Sequence, residues 1–277
     1  MMLNSAYVQF VVTTFTHAFF DMIKRRRNQV IGAVILSPAL IPLLLLVLPK
    51  SADFPTSDTF VFTQMIEIFY IRAVTPLLAL FLGAMLIGED IESQTIPYIL
   101  SRPIPRSAWV TGRFFAYLAA CSLLLFTTLT VTFVSCSILE ISFPSLDNLL
   151  LLFQYQGTAI MSLLGYGAIC MLLGALVRRP IIVGILLIFL WQRAAMFAPG
   201  LSDYFTIEKY VNALTPGGGS NVLSILEETA FEVIKSGVEI TPFWAALALI
   251  AIAAACIAGT TRAVLKKEYT TPTAVTE

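Results

Sequence analysis

The sequence predicts an all-α integral membrane protein: six transmembrane helices, an N-terminal interfacial amphipathic helix and an extracytoplasmic helix before the last span. Of the 277 residues, 58% are hydrophobic and 12% are charged, and the mean hydropathy is +0.86. Soluble domains carry about 25% charged residues, so lipid is the expected main solvent. Lipid leaves backbone groups unsatisfied unless the chain is helical, and a span needs roughly 20 apolar residues. Six windows meet this description: 29–48, 68–88, 113–136, 155–177, 181–199 and 242–261.

Residues 5–23, before the first window, carry apolar side chains at helical spacing and polar ones elsewhere. This pattern predicts an amphipathic helix that lies in the membrane interface within the segment 1–28. The bases of Lys24 to Arg27 then lie beside lipid headgroups. Pro38 and Pro42 fall inside the first span and should kink it.

The distribution of basic residues predicts the orientation. With both termini on one side, segments 1–28, 89–112, 178–180 and 262–277 become cytoplasmic and hold twelve bases, counting Arg113 at the membrane edge, against three on the opposite side. This bias follows the positive-inside rule and predicts a multi-pass protein with both termini in the cytoplasm. The membrane is expected to be the bacterial plasma (inner) membrane. The twelve are Lys24, Arg25, Arg26, Arg27, Arg102, Arg106, Arg113, Arg178, Arg179, Arg262, Lys266 and Lys267; the three are Lys50, Lys209 and Lys235.

The predicted organisation is one permease domain, with spans at 29–88, 113–199 and 242–261 and a cytoplasmic tail at 262–277. Between spans five and six, residues 200–241 form the longest extracytoplasmic segment. A glycine-rich break ends at Ser220, and apolar and acidic side chains then separate onto two faces over about 221–236. This indicates a helix outside the membrane that packs on the mouth of the bundle, or that faces an extracytoplasmic partner.

Three charges lie in or beside the predicted spans: Glu67, Arg72 and Arg193. Intramembrane charges are candidates for a permeation path, although both arginines are also within snorkelling reach of the outer interface. Glu67 precedes Arg72 by five residues, a spacing that does not pair side chains on an α-helix.

Catalytic and cofactor motifs are missing from the sequence. It has no G-x-x-x-x-G-K-[ST] phosphate loop and a single histidine, and its four cysteines fall in apolar windows. We therefore expect no enzymatic activity, no metal or cofactor held by this chain and no nucleic-acid partner. Energy for any active process must come from a gradient or from a partner protein.

The predicted cytoplasmic loop 89–112 is unusually structured. It runs from acids through an apolar stretch to bases, whereas a plain connection needs only solvating charges. Docking of a soluble protein would use the apolar side chains as anchors and the charges to orient the partner. The candidate docking residues are Glu89, Asp90, Glu92, Ile96, Tyr98, Ile99, Leu100, Arg102 and Arg106.

The order of residues in this loop resembles the loop between spans two and three of type-2 ATP-binding-cassette (ABC-2) exporter permeases. That family tends to have an acidic stretch, Gly-Thr, a leucine-rich run, a Ser-Arg-Pro-like turn, an arginine and Gly-Lys. After the acids, the counterparts here are Thr95, Ile99, Leu100, Ser101-Arg102-Pro103, Arg106 and Gly112-Arg113. The departures are Gln94 for glycine, Pro97 in the apolar run and Arg113 for lysine.

The resemblance implies a permease subunit of an exporter. A second permease subunit, identical or related, would pair with it, and two cytoplasmic ATPase subunits would bind ATP and Mg and receive loop 89–112 as a coupling helix. The alternative is an ATPase-docked scaffold that transports nothing and relays conformational work to extracytoplasmic partners. A gradient-driven carrier would need clear mid-membrane ionisable groups or repeats. The sequence leaves the substrate open.

Overall fold

A computed structural model describes residues 2–42, 44, 60–92, 105–140, 146–177, 179–191, 206–216 and 241–266. Within these ranges the chain is helical and contains no strand. The helices are α1 (Met2–Lys24), α2 (Arg26–Leu36), α3 (residues 60–92), α4 (Arg106–Glu140), α5 (Leu146–Leu176), α6 (Pro180–Trp191), α7 (Ile207–Leu214) and α8 (Pro242–Lys266).

Four helices in the described part of the chain are long and apolar enough to cross a membrane: α3, α4, α5 and α8. They contain four of the six predicted windows. The first window begins in α2, which gives way to a 3-10 turn at Ser37–Leu40 where Pro38 interrupts the α-helical pattern. The fifth begins in the shorter apolar helix α6. Apart from residues 41, 42 and 44, the remainder of the first window lies outside the described residues, as does the remainder of the fifth, so the count of six spans stays a prediction.

Helix α5 forms the centre of the bundle and contacts α3, α4, α6, α7 and α8. Small residues allow the closest approach, which is the usual way for membrane helices to associate. A side chain at Gly174 of α5 would overlap the carbonyl of Ala84 in α3, and one at Gly167 would overlap the ring of Tyr117 in α4. These positions therefore require glycine for steric reasons.

The directions of the helices alternate. Gly83 of α3 faces Gly167 of α5, and Gly88 further along α3 faces Gly174, so these two helices are parallel. Contacts of α3 with α4 and with α6 run the other way, as expected for a chain that crosses back and forth. The end of α3, the start of α4, the end of α5, the start of α6 and the end of α8 consequently meet at one side of the bundle, here called the basic end.

Helix α3 is not a uniform α-helix. It is π-helical over Ile66–Val74 and again over Ala79–Gly83. The amide of Thr75 donates to the carbonyl of Tyr70, five residues earlier, and the Thr75 hydroxyl donates to the same carbonyl at 2.7 Å. Such wide turns are rare and are frequently found at functional sites. Nothing in the hydropathy pattern predicted them.

The N-terminal helix α1 covers the predicted stretch 5–23 and packs on α4 near Gly112, beside Thr14 and the carbonyl of Val11. It leaves Val8 and Phe20, among others, more than half exposed. Its position in the membrane interface remains a prediction. The predicted extracytoplasmic helix at about 221–236 lies outside the described residues, and α7, earlier in the same segment, is held to α5 by a hydrogen bond from Thr158 to the carbonyl of Leu214.

The structure extends three helices beyond their apolar windows. Helix α3 continues to Glu92, α4 begins at Arg106 and α5 begins at Leu146, whereas the corresponding windows ended at 88 and began at 113 and 155. The extensions of α3 and α4 carry charged residues, which a hydropathy window excludes, whereas the extension of α5 includes the apolar run 149–153, which the predicted window left out. Much of the predicted loop 89–112 is therefore helical.

Candidate functional site

An ion pair at the basic end joins the last turns of α3 to the first turns of α4. Arg113 pairs with Asp90 and donates to the carbonyl of Leu86 at 2.5 Å. Its guanidinium also lies 4.8 Å from the ring centre of Trp109, one helical turn earlier in α4. Only 23% of the Arg113 side chain and 16% of the Asp90 side chain are exposed. The two helices that flank segment 93–104 are thus linked by a largely shielded charge pair.

Glu89 makes a second link, from α3 to the junction of α1 and α2. Its two carboxylate oxygens accept hydrogen bonds from Arg25 at 2.5 Å and from Arg27 at 3.1 Å. Arg25 occupies the extended residue between the two N-terminal helices, and this conformation directs the chain from one helix into the next. All three side chains are more than a third exposed, so each pair contributes little stability by itself.

A third contact reaches the last helix. Arg106, the first residue of α4, donates to the carbonyl of Leu265 near the end of α8 at 3.3 Å. Carbonyls in the last turn of a helix have no partner within that helix, and a cation there is favourable. Together the contacts of Asp90, Glu89 and Arg106 connect the α1–α2 junction, α3, α4 and α8 at the basic end.

The opposite half of α3 carries a buried polar cluster. Tyr155 of α5 donates to Oε1 of Glu67 at 2.8 Å, and Thr63 is a second hydrogen-bond partner of that phenol. One turn along, the hydroxyls of Tyr70 and Thr132 lie 2.9 Å apart. Glu67 is 4% exposed, and its Oε2 has no hydrogen-bond partner among the described residues. Among the described residues, a tyrosine and not a cation thus holds this carboxyl group inside the bundle.

A family model described as ABC-2 family transporter protein matches residues 3–256. The chain belongs to the ABC-2 transporter family. The match runs from α1 into α8, so it covers nearly all of the chain. A comparison with curated proteins finds no match. Proteins of the ABC-2 family are membrane components that generally work with separate cytoplasmic ABC ATPases, and this chain is accordingly a multi-pass membrane protein.

The predicted docking residues of this ABC-2 chain divide into two groups. Glu89, Asp90 and Arg106 lie at the ends of α3 and α4 and engage other parts of the same chain. Glu92 ends α3, and its side chain lies outside the described part of the structure. The remaining predicted residues lie wholly outside the described ranges; they are Ile96, Tyr98, Ile99, Leu100 and Arg102. Docking by this segment therefore stays a prediction.

The three predicted permeation-path charges occupy different surroundings. Glu67 is buried, as described above. Arg72 is half-buried and forms no ion pair with Glu67 or with any other described residue. This holds even though the helix around both residues is π-helical, a geometry whose hydrogen bonds join residues five positions apart. Arg193 lies just beyond α6 and outside the described residues. A role for any of the three in permeation remains a prediction.

The sequence did not predict the hydrogen bonds that link Glu67 to Tyr155 and Tyr155 to Thr63. It also did not predict the neighbouring pair of Tyr70 and Thr132. A signal was present, because a tyrosine or glutamate in an apolar run must find a hydrogen-bond partner. It did not say which partner, since Tyr155 is 88 positions from Glu67. Among the described residues no cluster of acidic, histidine or cysteine side chains could hold a metal ion.

Proposed function

We propose that this ABC-2 chain is the permease subunit of an ATP-driven exporter and that segment 89–112 docks a cytoplasmic ATPase. A second permease subunit, identical or related, completes the membrane part, and the ATPase subunits bind ATP and Mg. The complex lies in a bacterial inner membrane, with both termini of the chain in the cytoplasm. The family match supports the class of function, and the contacts at the basic end support the coupling role.

The observation that carries the proposal is the Asp90–Arg113 pair. It joins the helices on either side of segment 93–104, so a force applied to that segment moves α3 and α4 together. Glu89 passes the same displacement to the junction of α1 and α2. Coupling needs a contiguous set of packed and paired elements, and this arrangement supplies one.

The charge distribution supports the orientation. Described bases from α2, α4, α6 and α8 gather at the basic end, where the flanks of the docking segment also lie. The positive-inside rule assigns such an end to the cytoplasm, which is also the side where an ATPase would bind.

The test uses the double variant Leu100→Ala/Arg102→Ala in the complete complex. An apolar anchor and an oriented charge at an interface each contribute about 1–2 kcal/mol, so we expect the variant to retain at least about tenfold less ATPase on affinity purification. Arg262→Ala is the matched control, because Arg262 is an exposed base of α8 at the same end and outside the docking segment. Unchanged retention in the double variant, with unchanged transport, would refute the docking assignment.

Reconstituted vesicles separate export from the relay alternative. An exporter shows ATPase activity that is stimulated by a transported solute, and that stimulation is lost in the double variant. An ATPase that stays docked, responds to no solute and co-purifies with a stable outer-side protein would instead favour the scaffold.

A further inference from the structure

A cavity of about 270 Å³ opens at the basic end between α2, α3 and α6. It lies at the point where α3 leaves its apolar stretch and where α6 begins, which is where the boundary between lipid and water is expected. Its lining combines long cations with aliphatic surface and includes Arg27, Ala84, Met85, Glu89, Arg179 and Ile181.

The charges around this cavity do not cancel. Arg25 and Arg27 share the single carboxylate of Glu89, and Arg179 forms no ion pair with any described residue. Arg25 also lies 3.8 Å from Asp21, so three arginines against two carboxylates leave an excess of one positive charge. Arg179 directs no donor to another described side chain, so its guanidinium remains available to a ligand.

The apolar part of the lining limits the class of ligand. Ala84, Met85 and Ile181 present aliphatic surface beside the two lining arginines. A free inorganic anion uses only the charges, whereas a phospholipid uses both features: its phosphate meets the guanidinium groups and its first acyl carbons meet the aliphatic surface. Basic pockets between membrane helices recognise anionic headgroups in this way.

We propose that this cavity binds the headgroup of an anionic phospholipid, with Arg179 and Arg27 as the phosphate ligands. The assignment of this lipid to the cytoplasmic leaflet rests on the orientation in the proposed function. Because Arg27 also holds Glu89, an occupied cavity competes for the contact that ties the α1–α2 junction to α3. The lipid therefore acts next to the proposed coupling segment.

Native mass spectrometry of the full-length chain tests this, with phosphatidylglycerol and phosphatidylcholine supplied in separate samples. Wild type should retain phosphatidylglycerol preferentially. Arg179→Gln should retain about fivefold less, which corresponds to the usual contribution of one base near an anionic surface. Arg179→Lys should restore most of the binding, because it restores the charge. Arg26→Gln is the control: Arg26 is exposed and next to Arg27, and the same charge is lost without changing the cavity.

Three outcomes would overturn the proposal. Equal retention by Arg179→Gln and wild type excludes Arg179 as a ligand. Equal loss in Arg26→Gln and Arg179→Gln indicates general surface attraction. Displacement of the lipid by inorganic phosphate alone identifies a soluble phosphate as the ligand. Because Arg179→Gln leaves segment 89–112 intact, ATPase retention should be unchanged, and a failure of lipid binding would leave the exporter proposal standing.

Discussion

The two halves of α3 hold polar groups in opposite ways. At the basic end, Glu89 and Asp90 face arginines from three other segments, in pairs that range from a third exposed to largely shielded. In the other half, Glu67 is 4% exposed and accepts a hydrogen bond from a neutral tyrosine. The first arrangement can exchange its partners in water, whereas the second has no solvent to replace a lost partner. Burial, more than the number of contacts, thus decides what each group contributes to stability.

Breaking the most shielded charge pair should have the largest effect on the folded chain. Arg113→Gln leaves the Asp90 carboxylate in a largely enclosed site without its cation and removes the bond to the carbonyl of Leu86. We expect the free energy of unfolding, measured by denaturant titration in mixed micelles, to fall by about 3 kcal/mol. The exposed control Arg262→Gln should change it by less than about 0.5 kcal/mol. Similar losses of unfolding free energy in the two variants would show that shielding of the Asp90–Arg113 pair from water does not add to stability.

Removal of the tyrosine donor tests the buried half. Tyr155→Phe leaves Oε1 of Glu67 without its phenol, and we expect a loss of about 2 kcal/mol in the same titration. Adding Glu67→Leu removes the stranded acceptor as well, so the double variant should be more stable than Tyr155→Phe alone. Tyr117→Phe serves as the control, since that phenol lies 3.5 Å from the carbonyl of Leu163 and its loss should cost less than about 1 kcal/mol. A double variant less stable than Tyr155→Phe would contradict the role of the tyrosine as a donor to Glu67.

The smallest effect is expected at the exposed link. Glu89→Gln removes the carboxylate shared by Arg25 and Arg27, and the free energy of unfolding should fall by less than about 1 kcal/mol. High salt should remove this difference, because exposed pairs are screened. The loss of unfolding free energy caused by Arg113→Gln should persist in high salt. Equal salt sensitivity of Glu89→Gln and Arg113→Gln would contradict the assignment of one ion pair as exposed and the other as shielded.

Composition and hydropathy were sufficient to predict the class of fold and the positions of α3, α4, α5 and α8. Apolar runs of membrane length have few other solutions, because lipid satisfies no backbone group. The helical extensions at Arg106 and Leu146 were not predicted: the turn that begins at Arg106 carries charge, which a hydropathy window excludes, and the window drawn for α5 began after the apolar run 149–153. The loop pattern that led to the family relied on residue order, and the family match confirms that relation.

The sequence did not predict which charged residues form ion pairs within the candidate site. Glu89 meets Arg25 across 64 positions, and the loop offered several bases to each of its acids. The pairing depends on how α1, α2 and α3 pack, which local pattern does not encode. The cavity beside Arg179 was not predicted for the same reason. Its walls come from three separate segments, and none of them has an unusual sequence by itself.

The π-helical turns of α3 have a consequence for insertions and deletions. A wide turn accommodates one more residue than an α-helical turn between the same two ends, so the stretch Ile66–Val74 holds a spare residue. Loss of one residue there can be absorbed if the turn reverts to α-helix, and the basic end then keeps its face toward α4. The same loss in the uninterrupted helix α5 would rotate every later side chain away from its neighbours, including the glycines that allow close packing. The two central helices should therefore tolerate changes of length very differently.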